Sequence, residues 1–169
     1  YMWIMSNRLG SYYCFEPTRS GSVIEEKIKN FEGVTVTDGY AAYNRLKMYE
    51  KIEQAFCWAH VRRKFTDIES NYSEVKEILD DIDELFEIEG RAVAFEELKI
   101  LRELESKPIV DKIRTWLFEN HPKARRESAL RNAIEYTLKL WTGLIVFLKN
   151  VDVPMSNNEA ERTIRHSVV

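Results

Sequence analysis

Three short stretches hold the residue types that could do chemistry. Asp38 ends the run Val34-Thr35-Val36-Thr37-Asp38-Gly39, Glu161 lies within SNNEAER (156–162), and Cys57-Trp58-Ala59-His60 precedes Arg62, Arg63 and Lys64. By period two, Asp38 falls on the strand face shared by Val34 and Val36. A carboxylate continuing an apolar face needs a partner, and a divalent cation is one. Asp-Gly is also a common turn opening, and for this segment alone the turn is the stronger reading. Glu161 sits one turn into a helix with Arg165 four residues on, so a solvated ion pair is its ordinary role. Ser156 and Glu159 are spaced as a capping box. The C-x-x-H spacing of Cys57 and His60 invites a zinc reading, but structural zinc needs four ligands, usually from a second pair. The other candidates, Cys14, His121 and His166, are unpaired in sequence. Arg62, Arg63 and Lys64 read equally as a phosphate-contacting cluster or as a charged helix start.

The elements that must position these residues fall into three blocks. YMWIM (1–5) and SYYCFE (11–16) read as strands of a hairpin turning over Asn7 to Gly10. SGSVIEEKIKNF reads as a helix, with Ser22 and Glu25 at capping-box spacing and Ile24, Ile28 and Phe31 on one stripe. GVTVTD is the next strand, AAYNRLKMY a short helix, and QAFCWAH (54–60) a further strand. From Phe65 the period becomes helical, through Val75, Ile78, Leu79, Ile82, Leu85 and Phe86, then Leu98, Leu101 and Leu104, then Ile109, Ile113, Trp116 and Leu117. A last long helix is expected over about 123–149, with Leu130, Ile134, Leu138, Trp141, Ile145 and Leu148 inward. NVDVPMSNN then links to a terminal helix, NEAERTIRH. The expected division is an α/β part over 1–64, an all-helical insertion over 65–150, and a linker and final helix over 151–169.

Composition narrows the classes. The chain has 169 residues, 44% of them apolar, enough for one domain with a real core. A net charge of −3 gives no global basic footprint, so contact with nucleic acid must come from local patches. Residues 69–89 carry nine acidic side chains against Lys76 alone, which suits the wet face of a helix, whereas HPKARRESALR (121–131) is basic. Two distant cysteines do not make a disulfide framework, so a reducing compartment is the simpler reading. No apolar run reaches membrane-span length. Tyr1 already lies in a strand-like pattern, so the chain reads as a piece of something longer.

The order of the motifs is more specific than any one of them. TDGYAAYN (37–44), CWAHVRRKF (57–65) and SNNEAERTIR (156–165), separated by a long helical block, resemble the transposases of the insertion-sequence-66 family, a bacterial group of DDE recombinases. The resemblance implies an RNase H-like α/β fold with a mixed sheet and a large all-α insertion before the last catalytic helix. It implies two Mg²⁺ or Mn²⁺ ions held by two Asp and one Glu. Asp38 matches the second Asp, and Glu161 the Glu, as catalytic and metal-binding residues. Cys57 and His60 match a supporting motif, and Arg62, Arg63, Lys64, Arg162 and Arg165 are the expected DNA contacts. No residue matches the first Asp, whose central strand would precede Tyr1. A chain without that strand is expected to be inactive alone, to bind metal weakly or not at all, and to pair through the exposed edge or cover it with its hairpin. The implied partners are transposon ends, target DNA and further copies in a transpososome, in the bacterial cytoplasm at the nucleoid. Another RNase H-like nuclease, or a non-catalytic assembly or DNA-associated helical module, remains open.

Overall fold

The computed structural model describes residues 1–165, with side chains through Thr163. Arg165 is therefore described by its backbone only, and His166 lies outside the described residues. The architecture is mixed α/β.

β1 (Met2–Asn7) and β2 (Gly10–Phe15) pair antiparallel, from Met2 opposite Phe15 to Asn7 opposite Gly10. The tip is closed by Asn7, whose Oδ1 accepts the Leu9 N–H at 2.9 Å and the Gly10 N–H at 3.2 Å, a local turn-forming use of asparagine. α1 (Gly21–Ile28) is capped by Ser20, whose Oγ accepts the Ser22 N–H at 3.3 Å. The box expected from Ser22 and Glu25 does not form, because the helix starts too early for it. Glu25 reaches instead to Arg45 at 2.9 Å and Tyr49 at 3.0 Å. Phe31 lies beyond the helix end and is exposed, so the stripe stops at Ile28.

β3 (Gly33–Thr37) runs parallel to β4 (Ile52–Phe56), in register from Gly33 and Ile52 to Thr37 and Phe56. Parallel strands need a crossover, supplied by residues 38–51 with a 3₁₀ segment over Ala41–Met48. The two strand pairs stay separate sheets among the described residues. The hairpin does not lie beside β3, so of the two expected outcomes the covering of that edge by the hairpin is not the one seen. Its Trp3 and Cys14 pack on Val23 and Ile24 of α1, with Leu46 and Ile52, so its apolar face is already occupied.

α2 (Trp58–Thr66) begins immediately after β4, with Cys57 at the cap position, so the strand expected over 54–60 is divided. Cys57 N–H still extends the ladder to the Thr37 carbonyl at 3.0 Å, but Trp58 N–H turns to the Met155 carbonyl at 2.9 Å. Arg62, Arg63 and Lys64 thus fall in the second half of a helix rather than at its start.

α3 (Val75–Arg91), α4 (Phe95–Leu101) and α5 (Lys107–Asn120) follow, the last two joined by a π-helical turn over Arg102–Ser106. The extra residue of a π turn shifts the helical face. Arg102 and Ser106 point inward, while Leu104, expected on the apolar stripe, is exposed.

The long helix expected over 123–149 is interrupted at both ends. Ser128 caps α6 (Ala129–Leu144), its Oγ accepting the Arg131 N–H at 3.1 Å, after Glu127 takes a positive φ of 61°. Ile145 leaves helical geometry and separates α6 from α7 (Val146–Lys149). The buried face of α6 is drawn by Leu130, Ala133, Ile134, Thr137, Leu140 and Leu144. Leu138 and Trp141 sit at its margin. α8 (Asn158–Arg165) starts with the Asn157 carbonyl accepting the Glu161 N–H at 3.1 Å, one residue later than a Ser156 cap requires.

One main core runs from Ala55 on β4 through α2, α3, α5 and α6 to Val153 and Met155 in the returning linker. α6 lies directly on β4. A Cβ at Gly143 would stand 2.7 Å from the Gln54 carbonyl oxygen and nearer still to the Phe56 ring. Gly143→Ala is expected to destabilise the chain by about 1–3 kcal/mol, the usual cost of overpacking a close contact. A urea midpoint unchanged from the unaltered chain would refute that packing.

Candidate functional site

Asp38 performs the turn function that its sequence context suggests. Its Oδ1 accepts the Tyr40 N–H at 2.9 Å, and Gly39 follows with a φ of +77°. A Cβ at Gly39 would also lie 2.9 Å from the Cδ1 of Leu140 on α6, a side-chain end that can give way. The Asp38 carbonyl accepts the Tyr136 hydroxyl at 2.7 Å. The half-buried Asp38 is thus held at the end of β3 through its carboxylate by its own turn and through its backbone carbonyl by α6.

The C-x-x-H stretch divides by role. The Cys57 thiol is buried, and burial pushes its pKa up. The nearby charge of Glu161 raises it further, while backbone amides of Asn157, His60 and Ala59 oppose the shift. Trp58 is fully buried, and its Nε1 donates to the Leu144 carbonyl at 2.9 Å, satisfying an orphan acceptor at the end of α6. Among the described residues, no three His, Cys, Asp or Glu side chains gather as a metal-holding group.

His60 and Glu161 meet. The His60 Nε2 lies 3.6 Å from Glu161 Oε1, and the two side chains are 27% and 42% exposed. Glu161 is therefore neither remote from the α2 junction nor fully in solvent. Three buried polar atoms at this junction have no hydrogen-bond partner: His60 Nδ1, Asn157 Oδ1 and Thr37 Oγ1. Buried polar atoms are normally paired; Gln54 Oε1, Asp81 Oδ2 and Ser106 Oγ are likewise unpaired elsewhere among the described residues, so such orphans are not peculiar to this junction.

Asp38 belongs to the same neighbourhood through Tyr136. The phenol of Tyr136 is pushed up to about 12, first by burial, then by the charge of Asp38 and by Cys57. Tyr43 is also raised to about 12, by burial and then by Asp38.

The basic residues have different fates. Arg62 is engaged by Asp83 on α3 in a two-pronged ion pair, with Nη2 to Oδ2 at 2.8 Å. Arg63 and Arg162 are exposed. Lys64 is exposed and stands 5.4 Å from the Tyr136 ring centroid. In the basic stretch 121–131, Arg131 is held by Glu135 and by the His121 carbonyl.

Sequence reading passed over Arg102 entirely. It lies in a helical stretch whose leucines draw the apolar stripe, and nothing local signals a π turn. It also passed over Tyr136, whose contact with Asp38 spans 98 residues.

A mixed α/β chain with Asp at a strand end and His and Glu brought together from distant helices suits several polynucleotide-handling classes. Comparison with known families is decisive. The Transposase IS66 family matches residues 1–169, and the chain belongs to it. Two uncharacterized proteins of Sinorhizobium fredii are similar. y4jD is 33% identical over 163 residues, covering 90% of this chain and 32% of its own length. y4hP is 32% identical over 173 residues, covering 90% of this chain and 31% of its own. The chain spans about a third of the length of these relatives. No solved structure matches.

The raised phenols fix a pH dependence. A folded-state value near 12 against an ordinary 10 means the unfolded chain loses these protons first. Their contribution to stability is complete below pH 10 and is lost as pH rises through 12. Tyr136→Phe should remove one late-titrating phenol from the ultraviolet titration. It should also cost about 1 kcal/mol at neutral pH for the lost bond to Asp38.

Proposed function

We propose that the chain is the catalytic-domain part of a DNA transposase with an RNase H-like fold, cutting and joining transposon ends by metal-assisted phosphoryl transfer. The observation that carries this reading is the meeting of Glu161 with His60 at the junction of β3, β4 and α2, where Asp38 ends its strand. Family membership gives the class of activity. The geometry is compatible with the finer assignment of Asp38 and Glu161 as ligand carboxylates.

The donors fit a hard divalent cation in kind but not in number. Carboxylate oxygens suit Mg²⁺ or Mn²⁺, which use few protein ligands and keep several waters. A set of three is absent among the described residues. In this reading a third carboxylate arrives on a strand lodged between β1 and β3, whose sheets are separate. When bound, such ions activate an attacking hydroxyl and stabilise the leaving oxygen.

The chain's own residues supply placement. The turn at Tyr40 and the Tyr136 hydroxyl hold the Asp38 backbone still. His60 orients Glu161. Cys57 stays protonated and apolar beneath them. Arg63, Lys64 and Arg162 offer cations to backbone phosphate, which orient a strand without reading its sequence. Arg62, tied to Asp83, contributes least. The partners in this reading are DNA and further copies of the protein, at the bacterial nucleoid. No helix among the described residues is long and apolar enough to cross a membrane.

The absence of a three-ligand group also favours a second reading, a non-catalytic assembly module. Substitution separates the two. In the complete protein, Asp38→Asn and Glu161→Gln should each lower Mn²⁺-dependent strand cleavage by at least about a hundredfold, the scale on which single charged transition-state contacts act. DNA binding should survive both changes and weaken with Arg63→Ala and Lys64→Ala, with a shallower salt dependence. Undiminished cleavage in both carboxylate variants would leave the assembly module.

A further inference from the structure

We propose that Arg102 is a positioning residue for Glu161, acting from the π turn through the linker that returns the chain to the site; this rests on the reading of Glu161 as a ligand carboxylate. The Arg102 side chain is 3% exposed. Its Nε and Nη2 bind the two oxygens of Glu89 on α3, both at 2.7 Å. Nη1 donates to the Phe147 carbonyl at 2.7 Å and the Asn150 carbonyl at 3.1 Å, and Nη2 to the Val153 carbonyl at 3.1 Å. A guanidinium has five N–H donors, and these contacts use all of them.

The three carbonyls define what the fork does. Phe147 belongs to α7 and Asn150 is its C-terminal cap residue, where helix carbonyls are otherwise unsatisfied. Val153 lies in the linker, two residues before Met155, which accepts the Trp58 N–H. Segment 147–155 is thereby fastened at one end by Arg102 and at the other by the first amide of α2. α8 starts three residues after Met155, and Glu161 stands in its second turn beside His60. The route from Arg102 to Glu161 is one short, pinned length of backbone.

Arg102 opens the π turn four residues after the half-buried Leu98, on the same inward side of α4, while Leu104 faces outward at 69% exposure. An exposed leucine beside a buried arginine is a poor trade for folding alone, and a positioning role accounts for it.

The test uses the complete protein with two variants. Glu89→Met with Arg102→Met removes both buried charges together, a replacement that often leaves stability intact. Arg102→Lys keeps the charge opposite Glu89 but loses the planar fork. Both take donors from the Phe147, Asn150 and Val153 carbonyls, so both should unfold at a lowered midpoint while remaining folded under assay conditions. Amide exchange at Trp58 and Glu161 should quicken at least about tenfold in each, while core amides of α6 stay protected. Cleavage kcat should fall on the order of a hundredfold, with KM for DNA unchanged, as expected for misplacement rather than lost binding. Unaltered exchange at Trp58 and Glu161 in whichever variant folds would overturn the proposal, as would full kcat in the lysine variant. If Asp38→Asn and Glu161→Gln keep full cleavage, the functional reading fails, and the exchange data still decide whether Arg102 places α8.

Discussion

Two consecutive backbone amides at the β4–α2 junction hold three distant parts of the chain together. Cys57 N–H closes the parallel ladder on Thr37, and Trp58 N–H captures Met155. The first turn of a helix has amides without intrahelical partners, and Trp58 is completely buried. An unpaired amide there costs about 1–3 kcal/mol. The Met155 carbonyl removes that cost, and in doing so it brings residues 155–161 to the end of β3. The fold thus uses an ordinary defect of helix starts as the attachment point for the returning chain. Trp58 contributes from its side chain as well, since Nε1 holds the end of α6.

That arrangement explains why the helical block bears directly on the site. α6 packs on β4 at Gly143, reaches Asp38 through Tyr136 and lies against Gly39 through Leu140. The strands of the β3–β4 pair are short, five residues each, and a lone pair of strands is marginal without something packed on it. Here the helices supply that support, and Val34, Val36 and Phe56 lie against the main core. The hairpin has its own smaller core with α1. It is tied to the rest by Arg8, which bonds Asp152 at 2.9 Å and lies over Phe95 at 4.2 Å, and by α8 against β1.

Much of this was legible because it is local. The hairpin, the β3 strand and the helical periods of α3 and α5 follow from residue alternation and spacing, and the structure has them. Boundaries failed where a tertiary partner decided them. Nothing in QAFCWAH announces that Met155 takes the Trp58 amide, so the strand was extended through what is a helix start. Ser22 with Glu25, and Ser156 with Glu159, have the right spacing for caps, but Ser20 and Asn157 stand where the helices begin. Leu98, Leu101 and Leu104 repeat every three residues, a spacing that drifts off one helix face, and Leu104 ends up exposed. For the site, the meeting of His60 and Glu161 was reachable from motif order. The contacts of Tyr136 and Arg102 were not, because each depends on long-range placement rather than on residue pattern.

Buried polar groups are left bare in the scaffold as well as at the junction. In the helical block the buried Arg102 has every donor used and Lys112 meets Asp81 at 2.7 Å, yet Asp81 Oδ2 and Ser106 Oγ have no partner. At the β3–α2–α8 junction His60 Nδ1, Asn157 Oδ1 and Thr37 Oγ1 are also buried without partners, and the 3.6 Å approach of His60 to Glu161 is longer than a hydrogen bond. Unpaired atoms alone therefore do not mark a site. What sets the junction apart is that side chains from distant parts of the sequence, His60 and Glu161, meet there beside a linker fastened by Arg102 and by the Trp58 amide.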